Sequence, residues 1–287
     1  MKKYPVQALL FAALFAAFSS AGACTAVADS VPYRLAEPSL VINFVDTALY
    51  EVSGLGPTNE TGVFCAISDE RGEVLFMDGA AGGAILRRVS FREKGDFEGV
   101  ELVGKCLYAV RSNGEVSEIA RWNKDKPRVS TFKTFLTKDD DVEGLGYDLK
   151  RHALLLACKG NPENDDVRHV YAFDLKSNSL TESPAFTINP REVNELVPYN
   201  DDDKRNFFSP SGVAVHPISG DVYVVSTALK RLVVLDYLTG KIRYAARLYK
   251  KILPQPEGIA FDAEGNLFLS SEGKKGDGML LRFDLVR

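Results

Sequence analysis

From about residue 38 onward, apolar and polar positions alternate in short runs, each bounded by Gly, Asn, Asp or Ser. Runs with a period of two predict β-strands with one face turned to a core. The stretch from Gly258 shows the unit: a strand to Asp262, a turn at Ala263 to Gly265, and a second strand from Asn266 to Ser270. Nothing in the unit keeps the 3.6-residue spacing of an amphipathic helix. The unit also repeats. A Ser-Gly or Glu-Gly pair leading into an aliphatic run occurs at Ser53-Gly54, Glu98-Gly99, Glu143-Gly144, Ser211-Gly212 and Glu257-Gly258, in steps of 45, 45, 68 and 46 residues. Four short strands in a period of about 40–45 residues make one blade of a propeller. The chain is therefore expected to be all-β, a five-bladed β-propeller of four-stranded blades, with six blades the rival count. The step of 68 predicts loop insertions within a blade.

Strands are expected near 62–68, 72–78 and 84–91 in blade one, and near 99–103, 105–111, 114–121 and 129–135 in blade two. Blade three should use 144–148, 152–158, 169–175 and 185–189, and blade four 212–216, 221–226, 232–236 and 241–248. Blade five has only three strands after Gly258. The run around Tyr33 to Phe44 is expected to supply its outer strand, which closes the ring and removes an exposed sheet edge.

The first 23 residues place Lys2 and Lys3 ahead of an apolar run from Val6 to Phe18, followed by small residues. This is the layout of a secretory signal peptide, and the run is too short to span a bilayer comfortably. Cys24 after Ala21-Gly22-Ala23 leaves two readings open: lipidation of Cys24, or ordinary cleavage after Ala23 or Ala28. The expected organisation is a signal peptide over 1–23, a linker over 24–37 and a single propeller domain over 38–287. The expected location is the bacterial cell envelope, periplasmic or lipid-anchored to a membrane, with the protein a monomer.

Composition narrows the functions. A net charge of −4, without a basic patch interleaved with aromatics, argues against nucleic acid as a partner. Cys65, Cys106 and Cys158 remain besides Cys24, and alignment of the blades puts Cys158 level with Val110 and Ile67 and Cys65 level with Tyr108. No two cysteines share a height, so they are read as free thiols; no Cys and His spacing suggests zinc. There is no Gly-x-Ser-x-Gly elbow, and His152, His169 and His216 are read as structural. The loop from Gly273 to Gly278 lacks the spacing of a phosphate-binding loop, and Asp262 to Asn266 fits a turn rather than a calcium loop.

Propeller geometry turns spacing into position. The repeated pair opens the innermost strand of each blade, so all five copies converge at one mouth of the axis, where glycine lets the backbones crowd. Loops between second and third strands bring Ser68-Asp69-Glu70, Arg111, Lys159, Ser226-Thr227 and Ser271-Glu272 to that mouth. Acidic insertions at Asp139 to Asp141, Glu163 to Asp166 and Asp201 to Asp203 rim it. Two carboxylates about 6 Å apart repel by roughly 3 kcal/mol at an effective dielectric near 20, so Glu98, Glu143 and Glu257 need a remedy. Three stay open: a divalent cation such as calcium, salt bridges to Arg111 and Lys159, or spacing wide enough for hydration. Ser53, Asp69, Glu70, Arg111, Lys159, Ser211 and Glu272 are the candidate ligand-binding residues around them.

The segments around Glu98-Gly99, Asp141 to Leu145, Ser209 to Ala214 and Gln255 to Ala260, with Ser68 to Glu70 and Ser271 to Gly273, resemble the SdiA-regulated, YjiK-type family of bacterial envelope proteins. The resemblance covers about residues 38–287 and implies a β-propeller, an exported or membrane-anchored location and a link to calcium. A more distant likeness runs to phytase-like, esterase-like and gluconolactonase-type propellers. It implies Glu98, Glu143 and Glu257 as metal ligands; with Ser53 and Ser211 in the other two blades, a full carboxylate ring is absent. Three functions are carried forward: a propeller binding calcium or a small ligand without catalysis, a metal-dependent hydrolase of phosphate esters or lactones, and a platform for an envelope protein. In the hydrolase, Arg111 and Lys159 would receive the anionic group of the substrate.

Overall fold

The computed structural model describes residues 31–80, 82–161, 163–164, 166–198, 207–273 and 278–286. The expected signal peptide, Cys24, most of the loop from Gly273 to Gly278, Asp165 and Asp201 to Asp203 lie outside the described residues.

Five antiparallel sheets make five blades. Blade one runs outward from Val52–Pro57 through Val63–Ser68 and Gly72–Asp78 to Ile85–Arg92. Blade two uses Phe97–Val103, Cys106–Arg111, Val116–Ala120 and Arg128–Phe132. Blade four uses Gly212–Val215, Val222–Ser226, Arg231–Leu235 and Ile242–Arg247. Each inner strand packs on the next, and Gln255–Phe261 of blade five packs back on Val52–Pro57.

Blade five is closed by the N-terminal segment. Leu40–Asn43 pairs antiparallel with Met279–Phe283, in the register Leu40 to Arg282 and Asn43 to Met279. Residues 31–37, expected as part of a linker, are packed instead. Val31, Tyr33 and Leu35 are buried between blades four and five, and Tyr33 bridges to Leu285 while its hydroxyl donates to Gly265 O at 2.7 Å. Their apolar-polar alternation is the signal for this.

The long step between Glu143 and Ser211 resolves into two features. The outer strand of blade three is split into Ser179–Leu180 and Phe186–Ile188, both paired with Arg168–Asp174. A helix, Pro190–Leu196, then leads toward blade four, so part of the insertion lies between blades rather than within one. Asn189 caps it by accepting from Arg191 N at 2.9 Å, and Pro190 occupies the first turn. At seven residues, the helix is too short to announce itself by periodicity.

The core consists of five apolar seams, one between each pair of neighbouring blades. A second strand touches a seam on each face. Hence Ala153–Cys158 is buried at every position, with Leu155 turned to the blade-four seam and Leu154 and Leu156 to the blade-two seam. Each fully buried Leu contributes about 1.5–3 kcal/mol, so a polar residue anywhere in this strand would be costly.

Candidate functional site: an acidic axial mouth

The inner strands carry the same irregularity at the same height. Pairing slips between Val52 and Gly54, between Phe97 and Gly99, between Val142 and Gly144, and between Pro256 and Ile259. In blade four Ser211 N–H donates to Val225 O at 2.8 Å while Gly212 pairs with Val225 as well. The extra residue of each bulge is Ser53, Glu98, Glu143, Ser211, or Glu257 with Gly258. A bulge turns its side chain out of the regular alternation, here toward the axis.

Glycine makes the convergence sterically feasible. A Cβ on Gly54 would stand 2.6 Å from Gly99 Cα, and one on Gly258 would stand 2.6 Å from Leu55 Cβ, which closes the ring from blade five to blade one. Ser53, Glu98, Glu143, Ser211 and Glu257 all line one axial cavity. Its volume is about 10 Å³, room for a single water or a bare ion and not for an organic molecule.

The charges at this mouth are poorly balanced. Lys159 Nζ lies 2.8 Å from Glu143 Oε1 and 3.7 Å from Asp141 Oδ2. Burial works against the ammonium, yet Glu143 and Asp141 outweigh it and raise its pKa. Burial also raises the pKa of Glu143, and Lys159 offsets this only in part. Among the described residues Glu98 has no cation beside it. Burial, then the charges of Glu143 and Asp96, push its carboxyl up to about 9, and it is hydrogen-bonded to Asp96, itself the acceptor of Ser112 Oγ. Burial, with Glu143 and Glu272, pushes Glu257 up to about 8; Thr227 bonds to it. Burial and Asp69 push Glu272 up to about 7, and burial with Glu70 raises Asp69.

The structure separates the remaining candidates. Arg111 does not serve the ring: its guanidinium lies 3.5 Å from Glu115, which Arg92 also holds at 2.7 Å. The four-residue spacing from Arg111 to Glu115 was the available signal. Glu70 is exposed and lines a 1010 Å³ groove on the rim between blades one and two, away from the axis. Ser53 and Ser211 are buried, and Ser211 Oγ donates to Pro256 O at 2.9 Å. Asp96, Asp141 and Thr227 belong to the mouth and were missed as ligand-binding candidates, because they flank the repeated pairs or lie in turns.

The strand registers also correct one height. Gly144 faces Ala157, so Ala157 is level with Val110 and Ile67, and Cys158 stands one residue further along, level with Arg111 and Ser68. Cys65, Cys106 and Cys158 are free thiols, with Cys106 half-buried. His216 sits at the opposite end of the inner strands, packed against Tyr223 and Phe261.

The donor set is one of hard oxygens, which suits calcium or a similar cation. Its spacing is looser than a ready-made chelate: among the described residues no three Asp, Glu, His or Cys side chains are grouped closely enough to hold one ion. Among these residues, too, no helix is long and apolar enough to cross a membrane.

The fold and the mouth together define a five-bladed β-propeller with an acidic axial opening. Residues 34–275 match the SdiA-regulated family, and the chain belongs to it. No curated protein matches this chain. Among solved structures it is similar to the Myxococcus xanthus glutaminyl cyclase, at 12% identity and a TM-score of 0.57, covering 88% of this chain and 97% of that one. It is also similar to a luciferin-regenerating enzyme, at 10% identity and 0.52 over 86% and 95% of the two chains. A PQQ-bound aldose sugar dehydrogenase from Streptomyces coelicolor follows at 14% and 0.50, over 86% and 99%. At these identities the likeness is one of fold alone.

Proposed function

We propose that this propeller is an exported envelope protein whose axial mouth binds a hard divalent cation, calcium, without covalent catalysis. The observation that supports it most is the convergence of five bulged residues on one ion-sized cavity, three of them glutamates, with Lys159 paired to Glu143. Glu98, Glu143 and Glu257 would supply the carboxylate oxygens, with Ser53 and Ser211 as neutral neighbours. In the absence of a cation, burial and mutual repulsion favour protons on Glu98 and Glu257. Binding is thus an exchange of protons for metal. Since no three of these side chains already grip a common point, affinity should be modest, on the order of 10⁻⁴–10⁻³ M as in extracellular calcium modules.

A metal-dependent hydrolase needs an open position beside the metal for its substrate. The axial cavity is too small to supply one, and Arg111, the expected anion receiver, is committed to Glu115. The non-enzymatic reading is therefore preferred. Export rests on the signal-peptide pattern of residues 1–23, and attachment to a membrane on lipidation of Cys24.

Thermal unfolding of the mature protein in chelator and in millimolar calcium tests the reading. A ligand that binds only the folded state raises Tm. A calcium-dependent rise at pH 8, absent from the Glu98→Gln, Glu143→Gln, Glu257→Gln triple variant, is expected. An unchanged Tm in wild type removes the metal from the account.

A further inference from the structure

A second cavity opens on the same face of the disc, over blade three, and nothing in the cation reading uses it. Its volume is about 260 Å³, and Phe135, Asp140, Glu163, His169 and Tyr171 line it. Its construction follows from two local features. The outer strand of blade two ends at Phe132, three residues before Phe135, so Phe135 leaves the sheet and is 53% exposed. The loop 139–141 is stitched to the end of Ala153–Cys158 by Lys159 N–H to Asp141 O at 2.8 Å and Gly160 N–H to Asp140 O at 2.9 Å. That stitch turns Asp141 toward Lys159 and the axis while Asp140 lines the second cavity.

The walls combine rings with negative charge. Phe135 meets Tyr171 edge to face, with centroids 5.4 Å apart, and His169 meets Tyr171 in the same way at 5.5 Å. Asp140 Oδ2 accepts from Thr137 N at 2.7 Å and from Thr137 Oγ1 at 2.9 Å, which fixes the carboxylate and leaves Oδ1 for a ligand. Among the described residues Glu163 has no ion-pair partner and no Lys or Arg lines the cavity. Burial lowers the pKa of His169, so its ring adds no positive charge near neutral pH.

We propose that this cavity binds an organic ammonium compound, a primary amine with an apolar body, the ammonium between Asp140 and Glu163 and the body against Phe135 and Tyr171. An organic anion would meet two carboxylates and no counter-charge. A hydrated metal ion would gain nothing from the rings, whereas an ammonium is drawn both to carboxylates and to aromatic faces. The cavity is also far larger than an ion requires.

Calorimetric titration of the mature protein with 2-phenylethylammonium, 2-phenylethanol and 3-phenylpropionate tests the proposal. Saturable binding of the ammonium, at least about tenfold tighter than the neutral alcohol and with no binding of the anion, is expected. Phe135→Leu keeps apolar area and removes the ring, and should weaken the ammonium several-fold; Glu163→Gln, which leaves Asp140, should reduce the preference over the alcohol several-fold. Both positions are at the surface, and an unchanged Tm will show that the variants fold. Glu98→Gln should leave the titration unaltered. Equal affinity for ammonium and alcohol, no saturation at millimolar ammonium, or indifference to Phe135→Leu and Glu163→Gln would each overturn the site. A loss with Glu98→Gln matching that with Glu163→Gln would move the amine to the axial mouth and overturn it equally.

Discussion

The inner strand of blade three, Val142–Asp148, carries a carboxylate near each end, one half-buried and one fully buried, and the two are treated in opposite ways. Asp148 is fully buried. It accepts from Lys150 N at 3.0 Å, Arg151 N at 3.1 Å, Arg151 Nη1 at 2.7 Å and Tyr237 OH at 3.0 Å. Glu143, five residues away, has Lys159 and a set of acidic neighbours. Among the described residues, its counterparts Glu98 and Glu257 form no salt bridge, and Lys159 offsets the burial of Glu257 only in part. A protein able to neutralise a carboxylate as completely as Asp148 leaves three short of counter-charge at the other end. Half-buried carboxylates with raised pKa gathered at one place mark a candidate functional site.

The contrast is sharpest in stability. Asp148→Ala strips four donors of their acceptor and leaves Arg151 without its partner, so a loss of about 3–5 kcal/mol is expected in urea unfolding. A loss under 1 kcal/mol would mean that the satisfied end is not structural. Gly99→Ala drives a Cβ to 2.4 Å from Leu145 Cβ, between the inner strands of blades two and three. The expected cost is about 1–3 kcal/mol, read from the same unfolding curves, with calcium response weakened in proportion to the displaced ring.

Removing a mouth carboxylate should do the reverse. Glu98→Gln replaces a group whose charging is opposed by its surroundings, so stability at pH 9 should rise by several kcal/mol, up to about 6, and at pH 5 by no more than about 1 kcal/mol. The sign follows from linkage. A carboxyl whose folded pKa lies above its unfolded value binds more protons when folded, so wild-type stability falls as pH rises from about 4.5 toward about 9. Calcium, by replacing those protons, should cancel the fall. The smallest effect belongs to Glu70→Gln, exposed on the rim, for which no change in Tm or in calcium response is expected.

Much of the fold was legible because a propeller writes its period into the sequence. The Ser-Gly and Glu-Gly pairs mark the inner strands, and the missing outer strand of blade five pointed to the N-terminal run that fills it. Individual charges were less legible. Arg111 ends its second strand while Lys159 stands one residue beyond the end of its own, and the acidic groups within reach decide each partner: Glu115 captures one, while Asp141 and Glu143 hold the other. The bulges were invisible as well, since one extra residue leaves the hydrophobic pattern almost intact. The packed segment 31–37 and the helix Pro190–Leu196 lie beyond the repeat, where the period says nothing. The blade-three cavity depends on Phe135 leaving its strand early, which a strand expected to run to Phe135 concealed.

The carboxyl ¹³C NMR titration of the glutamates, with and without calcium, tests the central claim most directly, because it reads each mouth carboxyl separately. Glu98 and Glu257 should titrate near 9 and near 8 without calcium, and calcium should bring both down and release their protons. Titration of both near the ordinary glutamate value of about 4.3, unaltered by calcium, would contradict the account and leave the mouth a hydrated, unoccupied rim of charge.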